Sequence, residues 1–118
     1  MRHTFRRAAL FCGLWMSATG TASADVFCRG VIHQMYIQAD GGLQIFPSFR
    51  NDWLQLCNLN ATRAGVTVDT CKAWLALITT LQVTQQPVTI AYPGGSACDA
   101  LATSQYAPAP AYVMLGKD

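Results

Sequence analysis

The sequence predicts a small, mainly β domain with one helix, its five strands closed into a barrel. Three observations carry that prediction. Several segments alternate apolar and polar residues and are broken by glycine and proline turns. One stretch places apolar residues at three- and four-residue spacing, the helical signature. Four cysteines follow what reads as an export leader, the pattern of a small domain held by disulfides.

The leader is expected over residues 1–24. Arg2, His3, Arg6 and Arg7 make a basic start, Ala8 to Met16 an apolar run, and Ala22-Ser23-Ala24 a cleavage motif. The apolar run is about half of what a membrane span needs. Cys12 lies inside that run and Cys28 lies well beyond the cut, so neither suits lipid anchoring. Cleavage leaves residues 25–118, enough for a single disulfide-stapled domain. The formal charge of +2 for the whole chain comes from the leader. In the remainder, Arg29, Arg50, Arg63, Lys72 and Lys117 face Asp25, Asp40, Asp52, Asp69, Asp99 and Asp118. That balance lacks the basic footprint of a nucleic-acid binder. No basic amphipathic helix suits a membrane surface, so no membrane insertion is expected after cleavage. Low charge with high apolar content favours a covered surface, in an oligomer or a partner complex.

The elements follow in order. Val26 to Gln38 reads as one long strand, with Val31, His33, Met35 and Ile37 on the core face and Ile32, Gln34, Tyr36 and Gln38 on the other. Asp40-Gly41-Gly42 is a turn, because glycine takes positive φ at little cost. Leu43 to Phe49 completes a hairpin, and Pro47 marks an edge or a bulge. Trp53 to Leu59 is a third strand, followed by a polar loop over residues 60–65. The Asn60-Ala61-Thr62 triplet matches a glycosylation acceptor by coincidence. A helix is predicted from Asp69 to Leu81, capped by Thr67 or Asp69. Cys71, Trp74, Leu75, Ile78 and Leu81 form its apolar stripe, widened by Ala73, Ala76 and Leu77. Val88 to Tyr92 is a fourth strand, ended by Pro93-Gly94-Gly95; residues 99–110 form a surface loop, and Tyr112 to Leu115 is a last strand. Strand-strand-strand-helix-strand-strand is the order of an oligonucleotide/oligosaccharide-binding (OB) barrel, whose closure removes sheet edges. The alternative is an α+β sheet with the helix packed on one face.

Cys28, Cys57, Cys71 and Cys98 allow three pairings. Cys57–Cys71 and Cys28–Cys98 are favoured. The first closes the loop from the third strand to the helix, and the second ties the first strand to the end of the fourth. No CxxC redox pair or zinc pattern is present, so no metal and no cofactor is expected. The chain after the leader has one histidine, His33, and it falls mid-strand on the expected core face. Asp40, Asp52 and Asp69 suit turns and caps rather than an acid/base pair. Gly41-Gly42 and Gly94-Gly95 are isolated turns outside any phosphate-binding fingerprint. This inventory predicts a protein that is not an enzyme. Trp and Tyr can instead offer flat apolar platforms with a polar edge. Trp53 beside Arg50, Tyr36 with Gln34 on the outer strand face, and Tyr106 in the Pro-rich loop are the binding candidates. Trp74 is assigned to the core.

Two stretches carry a resemblance. The helix with Cys71 and Trp74, the following Gln85-Gln86-Pro87-Val88-Thr89-Ile90-Ala91-Tyr92, and Gly30-Val31-Ile32-His33-Gln34 resemble B subunits of AB5 toxins of the subtilase-cytotoxin and pertussis-like kind. Trp53-Leu54-Gln55-Leu56-Cys57-Asn58-Leu59 is similar to a segment of small exported proteins of Gram-negative bacteria. The toxin likeness implies an OB-like fold that oligomerises, and it carries over no sugar-binding residue. The expectation is a periplasmic or extracellular recognition module for a glycan or protein partner. A structural role in assembling the cell envelope, or inhibition of a periplasmic enzyme, is the alternative.

Overall fold

The computed structural model describes Gly13, residues 24–94 and residues 96–115. The leader expectation therefore lies outside the described residues, except at Gly13 and Ala24. Among the described residues are six strands and one helix: β1 Val26–Gly30, β2 Ile32–Ile37, β3 Gly42–Pro47, β4 Leu54–Asn58, α1 Val68–Thr84, β5 Val88–Tyr92 and β6 Tyr112–Leu115. A single 3-10 turn spans Cys98–Ala100.

The strands do not close into the expected five-stranded OB barrel. They form two separate antiparallel sheets, β1–β5–β6 and β2–β3–β4. The expected single sheet backed by a helix is also incomplete, because the second sheet is absent from it. The fold is mixed α/β, with two three-stranded sheets and one helix, and the OB and toxin-B-subunit expectations are corrected accordingly.

The correction begins at one residue. The long first strand predicted from periodicity breaks at Val31, and its halves join different sheets. Val31 N–H donates to Ser48 Oγ at 3.0 Å, and Ser48 N–H donates to Val31 O at 2.9 Å. Those bonds replace the ladder that a continuous strand would make. A Cβ on Gly30 would run into Ser48 Oγ, so the absent side chain permits the close crossing. The register also shifts between Ile32 and Gln34. As a result Ile32 is buried and His33 is exposed, the reverse of the predicted facing, while Met35 stays half-buried. Ile37, expected in the core, is also exposed.

The β2–β3 hairpin turns through Gly41, whose φ of 94° is open to glycine. Asp40 Oδ1 accepts from Gly42 N–H at 2.9 Å and fixes the bend. Leu54 to Cys57 in β4 are all buried, so their alternation is masked. The core covers one face. Along the edge of β4 away from β3, Arg63 donates to Gln55 O, and Ser104 pairs with the strand through Gln55 N–H to Ser104 O at 3.1 Å and Ser104 N–H to Trp53 O at 2.7 Å. The segment from 101 to 110 is thus more than a surface loop, for Leu101 and Ala107 belong to the core cluster.

Helix α1 starts at Thr67, whose hydroxyl accepts from Thr70 N–H at 3.2 Å. It runs past the predicted end at Leu81 to Thr84. Its C-terminus is docked on β2: Gln85 Nε2 donates to Ile32 O at 3.0 Å, and Gln82 Nε2 to His33 O at 3.4 Å. Gln85 itself is left-handed, with φ 53°, and its turn closes by Gln86 N–H to Leu81 O. The stripe faces inward as predicted, with Cys71, Ile78 and Leu81 buried and Trp74, Leu75 and Leu77 half-buried; Ala73 and Ala76 are exposed. Two disulfides, Cys28–Cys98 and Cys57–Cys71, join the favoured pairs with Cα separations of 5.5 and 5.6 Å.

Candidate recognition surface

The outer face of β2–β3–β4 gathers residues that sequence reading placed apart. In antiparallel pairing, residues directly opposite share a face. Gln34 lies opposite Phe46, Tyr36 opposite Gln44, and Gln44 opposite Gln55. The inner face carries Met35, Leu43 and Ile45, and Thr79 of the helix reaches Met35 there.

Trp53 stands just before β4 and organises this outer face. Its ring meets Tyr36 edge-on at 4.6 Å between centroids and Phe46 at 5.3 Å, with interplanar angles of 69° and 77°. Edge-to-face rings of this kind hold one another in place. Asp52 Oδ1 accepts from Trp53 N–H at 2.7 Å and fixes the backbone that presents the indole. Tyr36 is 41% exposed, so the cluster is fixed from below and open above.

The candidate residues therefore divide. Trp53 and Tyr36 touch, and Gln34 shares their face. Arg50 is engaged elsewhere: its Nε donates to Leu101 O at 2.9 Å, which pins the chain leaving the 3-10 turn. Tyr106 is 76% exposed, and among the described residues no ring contact joins it to the cluster. Sequence reading missed Phe46 and Gln44 as members of the face. The period-two pattern of β3 held the signal, since Phe46 and Gln44 alternate with Ile45 and Leu43.

Arg63 supports the adjoining edge. A tight turn with Arg63 N–H to Val66 O at 3.0 Å and the reciprocal bond at 2.9 Å presents it. Its guanidinium donates to Gln55 O, Gln105 O and Ala107 O, at 3.4, 3.0 and 2.6 Å. Burial lowers the guanidinium's pKa, and the nearby Tyr92 phenol partly opposes that shift. Burial likewise raises the Tyr92 phenol, and the Arg63 charge moderates the rise.

A second apolar surface lies on β1–β5–β6. Phe27 and Tyr112 stand opposite Ala91 on either side, with ring centroids 6.3 Å apart. Phe27 is 60% exposed, and Met114 continues the patch along β6.

Among the described residues no group of three or more His, Cys, Asp or Glu side chains is placed to hold a metal ion. Nor is any described helix long and apolar enough to cross a membrane. Comparison with protein-family models, with curated proteins and with solved structures finds no match to this chain.

Proposed function

We propose that this protein is an exported, non-catalytic recognition module that binds a glycan or protein partner through the outer face of β2–β3–β4. The observation that carries the reading is the Tyr36–Trp53–Phe46 cluster, a braced aromatic platform open to solvent on a face of uncharged side chains. Aromatic residues held rigid lose little entropy on binding and dominate many recognition surfaces. The two disulfides support an oxidising destination, periplasmic or extracellular.

Screening on a glycan array and pull-down from periplasmic extract test this reading together. A partner found by either method is expected to bind Trp53→Ala about 30-fold or more weakly, the scale of losing one anchor of about 2 kcal/mol. Tyr36→Ala weakens it less, and far-UV circular dichroism stays that of the wild type. Silence in both screens ends the reading.

A structural or assembly role is favoured by a different observation, the exposed Phe27–Tyr112–Met114 surface beside β6, an end strand of its sheet among the described residues. A strict monomer in sedimentation at all concentrations removes the self-associating form of that role.

A further inference from the structure

Gln44 is fully buried, and neither its Oε1 nor its Nε2 has a hydrogen-bond partner among the described residues. It does not belong to the apolar core. The register sets it between Tyr36 and Gln55 on the outer face of β3, two residues from Phe46 and two from Gly42. A carboxamide has two donors and an acceptor, and leaving all of them unpaired in a buried place is costly. A leucine would fill similar volume without that cost, so the amide needs an explanation.

Gly42 gives the neighbouring position no side chain. The space a Cβ would take is approached by Gln38 Oε1 to 2.6 Å and by Gln55 Nε2 to 3.2 Å. A notch in the face is therefore filled by the tips of two flexible glutamines, beside a third whose amide is unused. Asp40, the carboxylate at the notch, is engaged with Gly42 N–H. The groups on offer are neutral amides next to an aromatic ring.

We propose that the notch over Gly42 is a binding site for a neutral pyranose, with Gln44 as its buried polar anchor. This rests on the recognition reading above and names its ligand class. Vicinal hydroxyls present a donor and an acceptor side by side, matching Oε1 and Nε2 of one carboxamide. The apolar C–H face of the same ring rests against Tyr36 and Trp53, and the Asp40 carboxylate, with Oδ1 3.2 Å from the position of a Gly42 Cβ, disfavours an anionic ligand. Gln38 stands where a ligand hydroxyl goes and swings away on binding. Tyr36 moves with it, because Gln44 is sealed in the free protein.

The test titrates the full exported chain with methyl glycosides of glucose, galactose, mannose and N-acetylglucosamine, followed by tryptophan fluorescence and amide NMR shifts. At least one glycoside is expected to bind in the millimolar range or tighter and to shift the resonances of Gly42, Gln44 and Trp53. Gln44→Leu is expected to weaken it about tenfold or more, while its unfolding midpoint equals or exceeds that of the wild type. Gly42→Ala, which crowds the notch against movable glutamine tips, weakens it as well. Binding that Gln44→Leu leaves intact overturns the site but leaves the recognition face standing. Loss of stability in Gln44→Leu with no loss of binding marks the amide as a partner of internal water and overturns the proposal. No binding by any glycoside overturns it too, and a protein partner captured by pull-down would then hold the face without it.

Discussion

Tyr92 ends β5 with its ring in the core and its hydroxyl buried without a partner among the described residues. Burial makes the ionised phenol expensive, so its pKa rises above the usual 10.0. The sign of the consequence is fixed by linkage. Below pH about 10 the phenol is neutral in both folded and unfolded chains and has no effect. Above it the unfolded chain ionises while the folded one does not, so stability falls as pH rises. Tyr92→Phe is expected to match or exceed the wild type in urea unfolding at neutral pH, and to lose part of the alkaline decline. A large loss at neutral pH would mean that the hydroxyl has a partner. The residue was legible as a strand end and not as a buried phenol, since nothing local announces the Arg63 turn that comes to lie beside it.

Helix α1 shows how an element can exceed its own propensity. Thr79, Thr80, Val83 and Thr84 are β-branched and lower helicity. Three of them satisfy their hydroxyls within the helix: Thr79 to Leu75 O at 2.7 Å, Thr80 to Ala76 O at 3.2 Å and Thr84 to Thr80 O at 2.8 Å. Gln82 and Gln85 tie the end to β2, and that tertiary link carries the helix past the predicted stop. At the other end Thr67 caps a first turn that the Cys57–Cys71 bridge ties to β4. Thr67→Ala is expected to cost about 1 kcal/mol in chemical denaturation, with the helix fraying at residues 68–70 in hydrogen exchange. The stripe of α1 was readable because its spacing is intrinsic to the helix. The break of the first strand was not, because it depends on Ser48, a residue 17 positions away. The full burial of β4 was hidden for a similar reason, since Arg63 and the distant Ser104 line its edge away from β3. Ser104 accepts a φ of 54° to make both of its bonds there.

At the scale of the molecule the cysteines set the balance. Cys28–Cys98 closes a separation of 70 residues and Cys57–Cys71 one of 14. Loop entropy assigns them about 4 and about 3 kcal/mol. The double variant Cys28→Ala/Cys98→Ala is expected to lower the unfolding free energy more than Cys57→Ala/Cys71→Ala. The reverse order in urea titrations would show that native packing, not chain entropy, dominates. Pairing was legible from where the cysteines fall relative to the strands and the helix. Barrel closure was not, because element order leaves open which strands adjoin, and here the two sheets stay separate. The recognition face was half legible: Tyr36 and Trp53 stood out by type, while their meeting with Phe46 and Gln44 needed the register.

Each covalent bridge sits within one half of the molecule. Cys98 belongs to the turn beside β1, and Cys71 to the helix that backs β2 and β4. The union of the halves is left to the backbone at Val31, the Ser104 seam, Arg63 and the apolar interior. Reductant alone would therefore loosen each half while leaving them joined. One apolar cluster runs through both sheets, so an oxidised chain that lost it would keep two internally tethered segments on a common thread.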